Sequence, residues 1–346
     1  MQVKVRSANL EADRVLLIDT HLRYLTPHSN AARFDWLYRH NPHGQGQVWI
    51  AYDPTNGAII GTASAFPRCL SIAGHKEKGW VLGDFCVNES YRSLGPALQL
   101  QRACLAAVDT GQMTFCYDFP STGMMAIYRR LRIEPSGHML RMAKPLRVDR
   151  KLGTLVHYPP VARGLRAMGN TMLALRDITV KDDRAVTISL HDGRCGEEFS
   201  TLAHHVSHRY EACIQRSAAY LNWRYLAHPL HQHEVLTARR GGALLAYAVF
   251  MQTGEDAALV DLLGVENPTI LSSLVKRVIA LLRKRGVITV SALMIASHPW
   301  RGMLHRLGFK AREASPVMVY ASPHSQTKYS LGEGHNWFLM QGDRDS

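Results

Sequence analysis

The chain has 346 residues, enough for two domains that each bury a core. Hydrophobic residues make up 46% and charged residues 20%, which excludes a largely disordered chain, and no apolar run approaches the roughly 20 residues that span a bilayer. The 41 Lys and Arg against 28 Asp and Glu give a formal charge of +13, which favours polyanionic partners (coenzyme A, tRNA, nucleotide sugars, anionic lipid surfaces) without choosing among them.

The opening Met1 to Arg6 lacks the apolar stretch of a secretion signal, so the cytoplasm is the expected location. The first patterned region is Phe34-Asp35-Trp36-Leu37-Tyr38-Arg39-His40-Asn41-Pro42. A strand is predicted over 47–52, then a turn at Pro54-Thr55-Asn56-Gly57 and a second apolar strand over 59–66. Residues 80–87 read as strand, 95–108 as helix, 113–119 as strand and 123–131 as helix. Residues 147–183 read as a basic connector, whose early part has Arg147, Arg150, Lys151, Arg163 and Arg166 against one acid, Asp149, and Tyr158-Pro159-Pro160 breaking any helix. Val161, Leu165, Met168, Met172 and Leu175 recur at helical spacing. Gly164 and Gly169 weaken a free amphipathic helix, so a linker helix packed on the domains is preferred to one lying on a membrane.

The aromatic pattern then returns as Leu221-Asn222-Trp223-Arg224-Tyr225-Leu226-Ala227-His228-Pro229, so W-x-Y-x-x-[NH]-P occurs twice, about half the chain apart. The same sequence of pieces follows it: strands over 233–238 and 243–251 around the turn Arg239-Arg240-Gly241-Gly242, strand 257–265, helix 270–284, strand 288–295 and helix 299–307. A duplicated domain explains this with one assumption. The expected fold class is α+β, sandwich-like, with two tandem domains that are each a mixed twisted sheet flanked by helices. Their expected limits are 1–146 and 184–324, with a tail over 325–346 whose Trp337-Phe338-Leu339-Met340 is apolar enough to dock on the protein.

The chemistry concentrates in Val81-Leu82-Gly83-Asp84-Phe85-Cys86-Val87-Asn88-Glu89-Ser90-Tyr91-Arg92-Ser93-Leu94-Gly95-Pro96-Ala97. A strand here runs through a short turn into a helix that opens at a glycine. Backbone N–H groups and the helix dipole at such a turn suit a pyrophosphate. These residues resemble the coenzyme A motif of the GNAT superfamily of N-acetyltransferases, V-x-P-x-x-R/Q-x-x-G-x-G/A, with Val87, Arg92, Gly95 and Ala97 at the matching positions. The chain lacks the family's proline in Asn88-Glu89-Ser90, and Pro96 removes one N–H from the cradle. The resemblance implies an acyl-CoA cosubstrate, acetyl-CoA or another, bound by Phe85, Cys86, Val87, Arg92, Ser93, Leu94, Gly95, Pro96, Ala97 and Ser121.

Residues 120–133 resemble the later GNAT signature N-x-x-A-x-x-x-Y-x-x-L-G-F, with Ser121 at the Asn position, Tyr128 at the Tyr position and Arg132-Ile133 in place of Gly-Phe. The resemblance implies that the Tyr128 hydroxyl protonates the departing thiolate; the plainer alternative is a tyrosine packed on the sheet. Asp84, on the strand before Val87, is the candidate base for the acceptor amine if burial raises its pKa, the alternative being a loop cap or a partner for an arginine.

The second half has no R-x-x-G-x-G/A turn after Asp261-Leu262-Leu263-Gly264-Val265, although His305-Arg306-Leu307-Gly308-Phe309 keeps the R-L-G-F end. It is expected to lack coenzyme. The six cysteines form no C-x-x-C pair, so neither disulfides nor zinc are expected. The histidines at 204, 205 and 208 and at 228, 231 and 233 read as surface or interface groups, and no metal is expected.

The leading functional expectation is an acyl-CoA-dependent N-acyltransferase that moves an acyl group, acetyl first, to a small-molecule or sugar amine by direct attack on the thioester. The alternatives are an aminoacyl-tRNA-dependent transferase of the peptidoglycan-building type, whose basic surface would suit tRNA, and a non-catalytic GNAT-like binding protein.

Overall fold

The computed structural model of the protein describes residues 3–91, 94–149, 168–173, 185–322 and 337–345. Its frame is one sheet whose pattern of pairing is the same from either edge. The strands are β1 (Lys4–Ser7), β2 (Gln47–Tyr52), β3 (Ile59–Ile72), β4 (His75–Val87), β5 (Phe115–Asp118), β6 (Gly137–Pro145), β7 (Thr187–Leu190), β8 (Ala212–Ile214), β9 (His233–Arg240), β10 (Ala243–Thr253), β11 (Asp256–Gly264), β12 (Thr289–Ile295), β13 (Lys310–Ala321) and β14 (Trp337–Phe338). They run β1-β2-β3-β4-β5-β13-β6-β12-β11-β10-β9-β7, with β8 and β14 attached beside β3. Neighbours along this order are antiparallel except β4 with β5 and β11 with β12, which occupy mirrored places in it.

The centre of this order is an exchange. β6, from the first half, pairs with β12, while β13, from the second half, pairs with β5, and the two meet antiparallel in the middle. The two halves therefore share one continuous sheet.

The reading of 59–66 as a strand is extended by the structure, because β3 continues to Ile72 and turns back into β4 through Ala73 and Gly74, both left-handed at φ 47 and 83. Two consecutive positive φ values fit the twist of a tight hairpin, and the polar start of β4 (His75 to Lys78) lies outside the apolar stretch that marks a strand in sequence. Helix α1 (Arg14–Tyr24) precedes a short α2 (Ala31–Phe34), which runs into a π-helical turn at Asp35–Arg39. Helix α3 (Leu94–Asp109) packs Leu100, Cys104, Leu105 and Val108 into a core of its own against β2 and β3, and α4 (Thr122–Leu131) starts at a Ser121 cap.

In the second half, α5 (Glu197–Ser207) and α6 (Ala218–Leu221) precede another π-helical turn, Asn222–Leu226. Helix α7 (Pro268–Lys284) buries Ile270, Leu271, Leu274, Val275, Val278 and Leu282, the one-faced spacing expected of a helix on a sheet. Helix α8 (Arg301–Arg306) follows β12. Of the connector, the described residues include its start at 147–149 and the helical turn at 168–173; Arg150, Lys151, Val161, Arg163, Leu165, Arg166 and Leu175 lie outside them.

The repeated W-x-Y segments meet. The indoles of Trp36 and Trp223 stack with centroids 4.9 Å apart, and each Nε1–H donates to the other residue's carbonyl at 2.8 Å. Two identical bonds in opposite directions mark a local two-fold axis between the halves, the arrangement an isologous contact has. All six cysteines are free thiols. Among the described residues no helix is long and apolar enough to cross a membrane.

Candidate active site

β4 and β5 pair over only two rungs, Trp80↔Cys116 and Val81↔Tyr117. Beyond them the strands diverge, and β4 carries on to Val87 with no strand among the described residues paired on that side. The divergence coincides with a bulge: Ser64 pairs with Gly83 and Thr62 with Cys86, so Asp84 and Phe85 together oppose Ala63. Asp84 takes a left-handed φ of 44 there. A bulge bends and twists its strand, and the result is a notch holding a cavity of about 270 Å³. Its walls come from β4 (Leu82 to Phe85), α3 (Gln101, Cys104), the end of β5 (Asp118), the start of α4 (Ser121, Met124) and the tail (Asp345).

Asp84 is 4% exposed and fully engaged. Arg33 donates to both its oxygens at 2.6 and 2.8 Å, and the Tyr38 hydroxyl donates at 2.7 Å. Burial alone would push its pKa up, but the Arg33 guanidinium, supported by Tyr38, outweighs burial and holds it below the ordinary carboxylate value. The expectation of a raised pKa and a base at Asp84 is thereby corrected: the carboxylate is an ion-pair partner, as the alternative reading had it. Arg33 and Tyr38 belong to the W-x-Y region, so the conspicuous aromatic motif serves to seat this carboxylate.

Tyr128 is 1% exposed, and its hydroxyl does not face open space. It donates to Asp118 Oδ2 at 2.7 Å and accepts from Gln101 Nε2 at 3.0 Å. Burial, and after it the nearby Asp118, raises its pKa well above the ordinary phenol value. In this arrangement the Tyr128 proton expected to reach a thiolate points at Asp118 instead, and Tyr128 reaches the cavity through that carboxylate. Burial pushes Asp118 up to about 7, against the lowering effect of the Tyr128 bond and with help from the charge on Asp345. Asp118 was missed from sequence; the signal was an acid ending the otherwise apolar run Phe115-Cys116-Tyr117.

The expected cofactor residues divide. Gly95, Pro96 and Ala97 form the first turn of α3, and a proline is tolerated there because first-turn N–H groups have no partner within the helix. Leu94 begins the helix, while Arg92 and Ser93 lie outside the described residues. Phe85 lines the cavity. Val87 packs toward the core under α3, whereas Cys86 turns to the other face, 3.2 Å from Thr62 Oγ1, where burial raises its thiol to about 11. The Cys86 side chain is thus part of the packing. Ser121 lines the cavity and also caps α4, its Oγ accepting from Met124 N at 3.3 Å. The replacement of Gly-Phe by Arg132-Ile133 leaves the turn intact: Arg132 adopts φ 59, the left-handed cap a glycine would supply, and its N–H bonds the carbonyls of Tyr128 and Arg129.

The second half repeats the frame without the opening. Asp261, beside the bulge in β11, accepts from Arg216 Nε, Tyr225 and Tyr247, a counterpart of Asp84 with Arg33 and Tyr38. The space between β11 and β12 is occupied by the chain's own tail. Leu339 and Met340 are fully buried, Ile295 N donates to Leu339 O, and Asp343 bonds Arg216 at 2.7 Å. Asn267 caps α7 by accepting from Thr269 N and Ile270 N, so those amides are already used. The histidines at 228, 231 and 233 cluster over this filled notch with ring centroids 4.9 to 6.4 Å apart. His204 on α5 and His208 just past its end are exposed, with ring nitrogens 3.3 Å apart. The described residues contain no group of three or more side chains suited to a metal ion.

No protein-family model matches the chain, and no curated protein matches it in sequence. Its shape does have relatives. A GCN5-related N-acetyltransferase from Anabaena variabilis matches with a TM-score of 0.65 at 13% identity, over 92% of this chain and 72% of that one. A protein of Enterococcus faecalis described as a probable N-acyltransferase matches equally well, with a TM-score of 0.65 at 12% identity over the same shares. The N-myristoyltransferase of Saccharomyces cerevisiae, solved with bound myristoyl-CoA, matches with a TM-score of 0.59 at 11% identity, over 97% of this chain and 89% of that one. At such identities the likeness is one of architecture, and the architecture of the chain is the GNAT fold.

Proposed function

We propose that the protein is an acyl-CoA-dependent N-acyltransferase that passes an acyl group, acetyl first, to an amine in the notch between β4 and β5. The observation that carries this reading is the open cavity where the two strands part, walled by Gln101 and Cys104 of α3, a helix whose first-turn N–H groups have no partner within the helix itself. The amides of Gly95 and Ala97 and the positive end of α3 suit the pyrophosphate, and Pro96 takes one donor from that set. The divergent strand edge of β4 offers main-chain groups to the pantetheine arm, whose peptide-like amides can add to a sheet as a short strand would. The thioester then reaches the cavity, where about 270 Å³ must hold both the acyl end and the acceptor nitrogen. This is the space argument for a short acyl group. The second half, with its notch filled and its α7 amides capped by Asn267, supports the first and takes no coenzyme.

Calorimetry with acetyl-CoA and longer acyl-CoAs, with and without tRNA, tests the reading. Acetyl-CoA is expected to bind at micromolar concentration, with binding lost in Gly95→Arg and kept in Thr269→Arg at the equivalent place on α7. Binding of tRNA alone would favour the aminoacyl-tRNA-dependent transferase instead. Coenzyme binding without turnover on any amine would leave a binding protein.

A further inference from the structure

The cavity carries carboxylates that the resemblance does not account for. Asp118 projects from the end of β5, and Asp345 comes in from the tail, beside Gly83. A Cβ at Gly83 would stand 2.5 Å from Asp345 Cβ, so the glycine is what lets the tail approach β4. The tail is fastened on the way: Arg224 donates to the Gly342 carbonyl at 2.8 Å, Tyr117 to that of Asp343, and Arg344 lies over the Phe119 ring. Among the described residues no side chain bonds the Asp345 carboxylate. By contrast Asp84, in the same cavity, is neutralised by Arg33.

We propose that Asp118 takes the proton from the acceptor's ammonium, and that Asp345 faces it as the second carboxylate that makes this cavity a receptor for a cationic primary amine. The proposal rests on the acyltransferase reading. An alkyl amine arrives as R–NH3⁺ and has no lone pair to attack with. Asp118 accepts one proton, and the freed lone pair forms the C–N bond at the thioester carbonyl. The C–S bond breaks, its electron pair leaves on sulfur, and the second surplus proton on nitrogen passes to that thiolate. Asp118 then returns its proton to solvent, so that ammonium and thioester give amide, thiol and one H⁺.

The groups facing Asp118 fit this duty. Tyr128 on α4 fixes Oδ2, with its own oxygen held by Gln101 on α3, and the Phe119 N–H also bonds the carboxylate; a carboxylate has about four lone-pair sites, so two such donors leave it able to accept from the substrate. Cys104 on α3 and Cys116 on β5 are thiols that burial keeps protonated. Asp345 raises the proton affinity of Asp118, and Arg344 lowers it. Burial and the charge of Asp84 raise Asp345 in turn, opposed by Arg344 and Arg224. A site with two carboxylates short of a cation is completed by an ammonium, and an anionic acceptor would be repelled from it.

The test uses the full-length protein. In carboxyl ¹³C NMR the Asp118 signal, assigned by its loss in Asp118→Asn, should titrate near neutral pH and move lower in Asp345→Asn. n-Butylammonium should lower that midpoint, and an arylamine, uncharged at neutral pH, should not. In turnover assays that follow thiol release from acetyl-CoA, Asp118→Asn should lose at least 100-fold in kcat/KM on alkyl amines and less than tenfold on arylamines, which need no deprotonation before attack. Asp345→Asn should raise KM for alkyl amines about tenfold. Tyr128→Phe, altering a positioning residue, should shift the acidic limb of the pH–rate profile upward while its plateau stays within threefold. Both aspartate variants should bind acetyl-CoA as the wild type does. The proposal is overturned if Asp118→Asn keeps its rate on alkyl amines or if n-butylammonium leaves the titration unmoved. If the wild type fails to bind acetyl-CoA, the acyltransferase reading falls first and takes the base with it.

Discussion

The two notches differ in what fills them. Each lies where a parallel strand pair separates beside a bulge, and each has a buried aspartate tied to an arginine and to the tyrosine of a W-x-Y motif. One is an open, acid-lined cavity, and the other is closed by Leu339, Met340 and Asp343 of the same chain. The shared triad is therefore architecture, since it stands equally where there is space for a substrate and where there is none. What singles out the first notch is the open volume and the two carboxylates that line it, Asp118 and Asp345, whereas the carboxylate added to the second triad, Asp343, is spent on Arg216.

The largest effect that would break this contrast comes from removing the filling. Phe338 is fully buried, packed at a tilt against His298 and lying under the Arg216 guanidinium. Phe338→Ala should cost about 3–5 kcal/mol in denaturant unfolding, the scale for deleting a core aromatic. An unchanged midpoint would mean that the tail does not hold the second half together. The triad comes next. Arg33→Met leaves the Asp84 carboxylate buried without its cation and should cost about 3–5 kcal/mol, while Arg33→Met with Asp84→Leu should recover most of that loss in the same measurement.

The third effect concerns pH, and here two aspartates of one cavity have opposite signs. Asp84 has a lowered pKa in the folded state, so its contribution to stability is present above the ordinary carboxylate pKa and is lost as pH falls through its folded value. Asp118 has a raised one, about 7, so the folded state binds more protons than the unfolded chain between roughly pH 4 and 7. Its presence therefore weakens the fold as pH rises across that window, by about 1.4 kcal/mol for each pH unit crossed. Asp118→Asn should be more stable relative to wild type at pH 8 than at pH 4.5, by a few kcal/mol; an equal difference at both would show that Asp118 titrates normally. The smallest effect is Arg132→Gly, which relieves a left-handed arginine and should raise stability by about 1 kcal/mol.

What could be read in the sequence was local. The W-x-Y repeat, the strand pairs after it and the strand and helix on either side of the turn in 81–97 are short-range patterns, and the described residues contain each of them. The notch was not legible, because it is a gap in pairing between strands almost 30 residues apart. Asp84 drew attention by its place in a motif, but its partner Arg33 lies 51 residues away, and nothing in the string says that they meet. Asp118 was overlooked as the end of a strand. Asp345 sits in the polar stretch Gly342 to Asp345, and such a stretch gives no sign of entering a cavity beside β4. The filled second notch was invisible for the same reason, although the absence of a glycine turn after Asp261 is consistent with it.

The crossed central strands have a consequence during synthesis. Asp118 lies on β5, whose outer edge is covered by β13 through the pair Met318↔Asp118, a residue added 200 positions later. At roughly 5–20 residues per second, a ribosome leaves that edge bare for some 10–40 s. An exposed strand edge is a template for pairing with another chain. The nascent protein thus passes through an interval in which the strand bearing Asp118 is open to the wrong partner, and a chaperone that shields it until translation ends should raise the yield of soluble product.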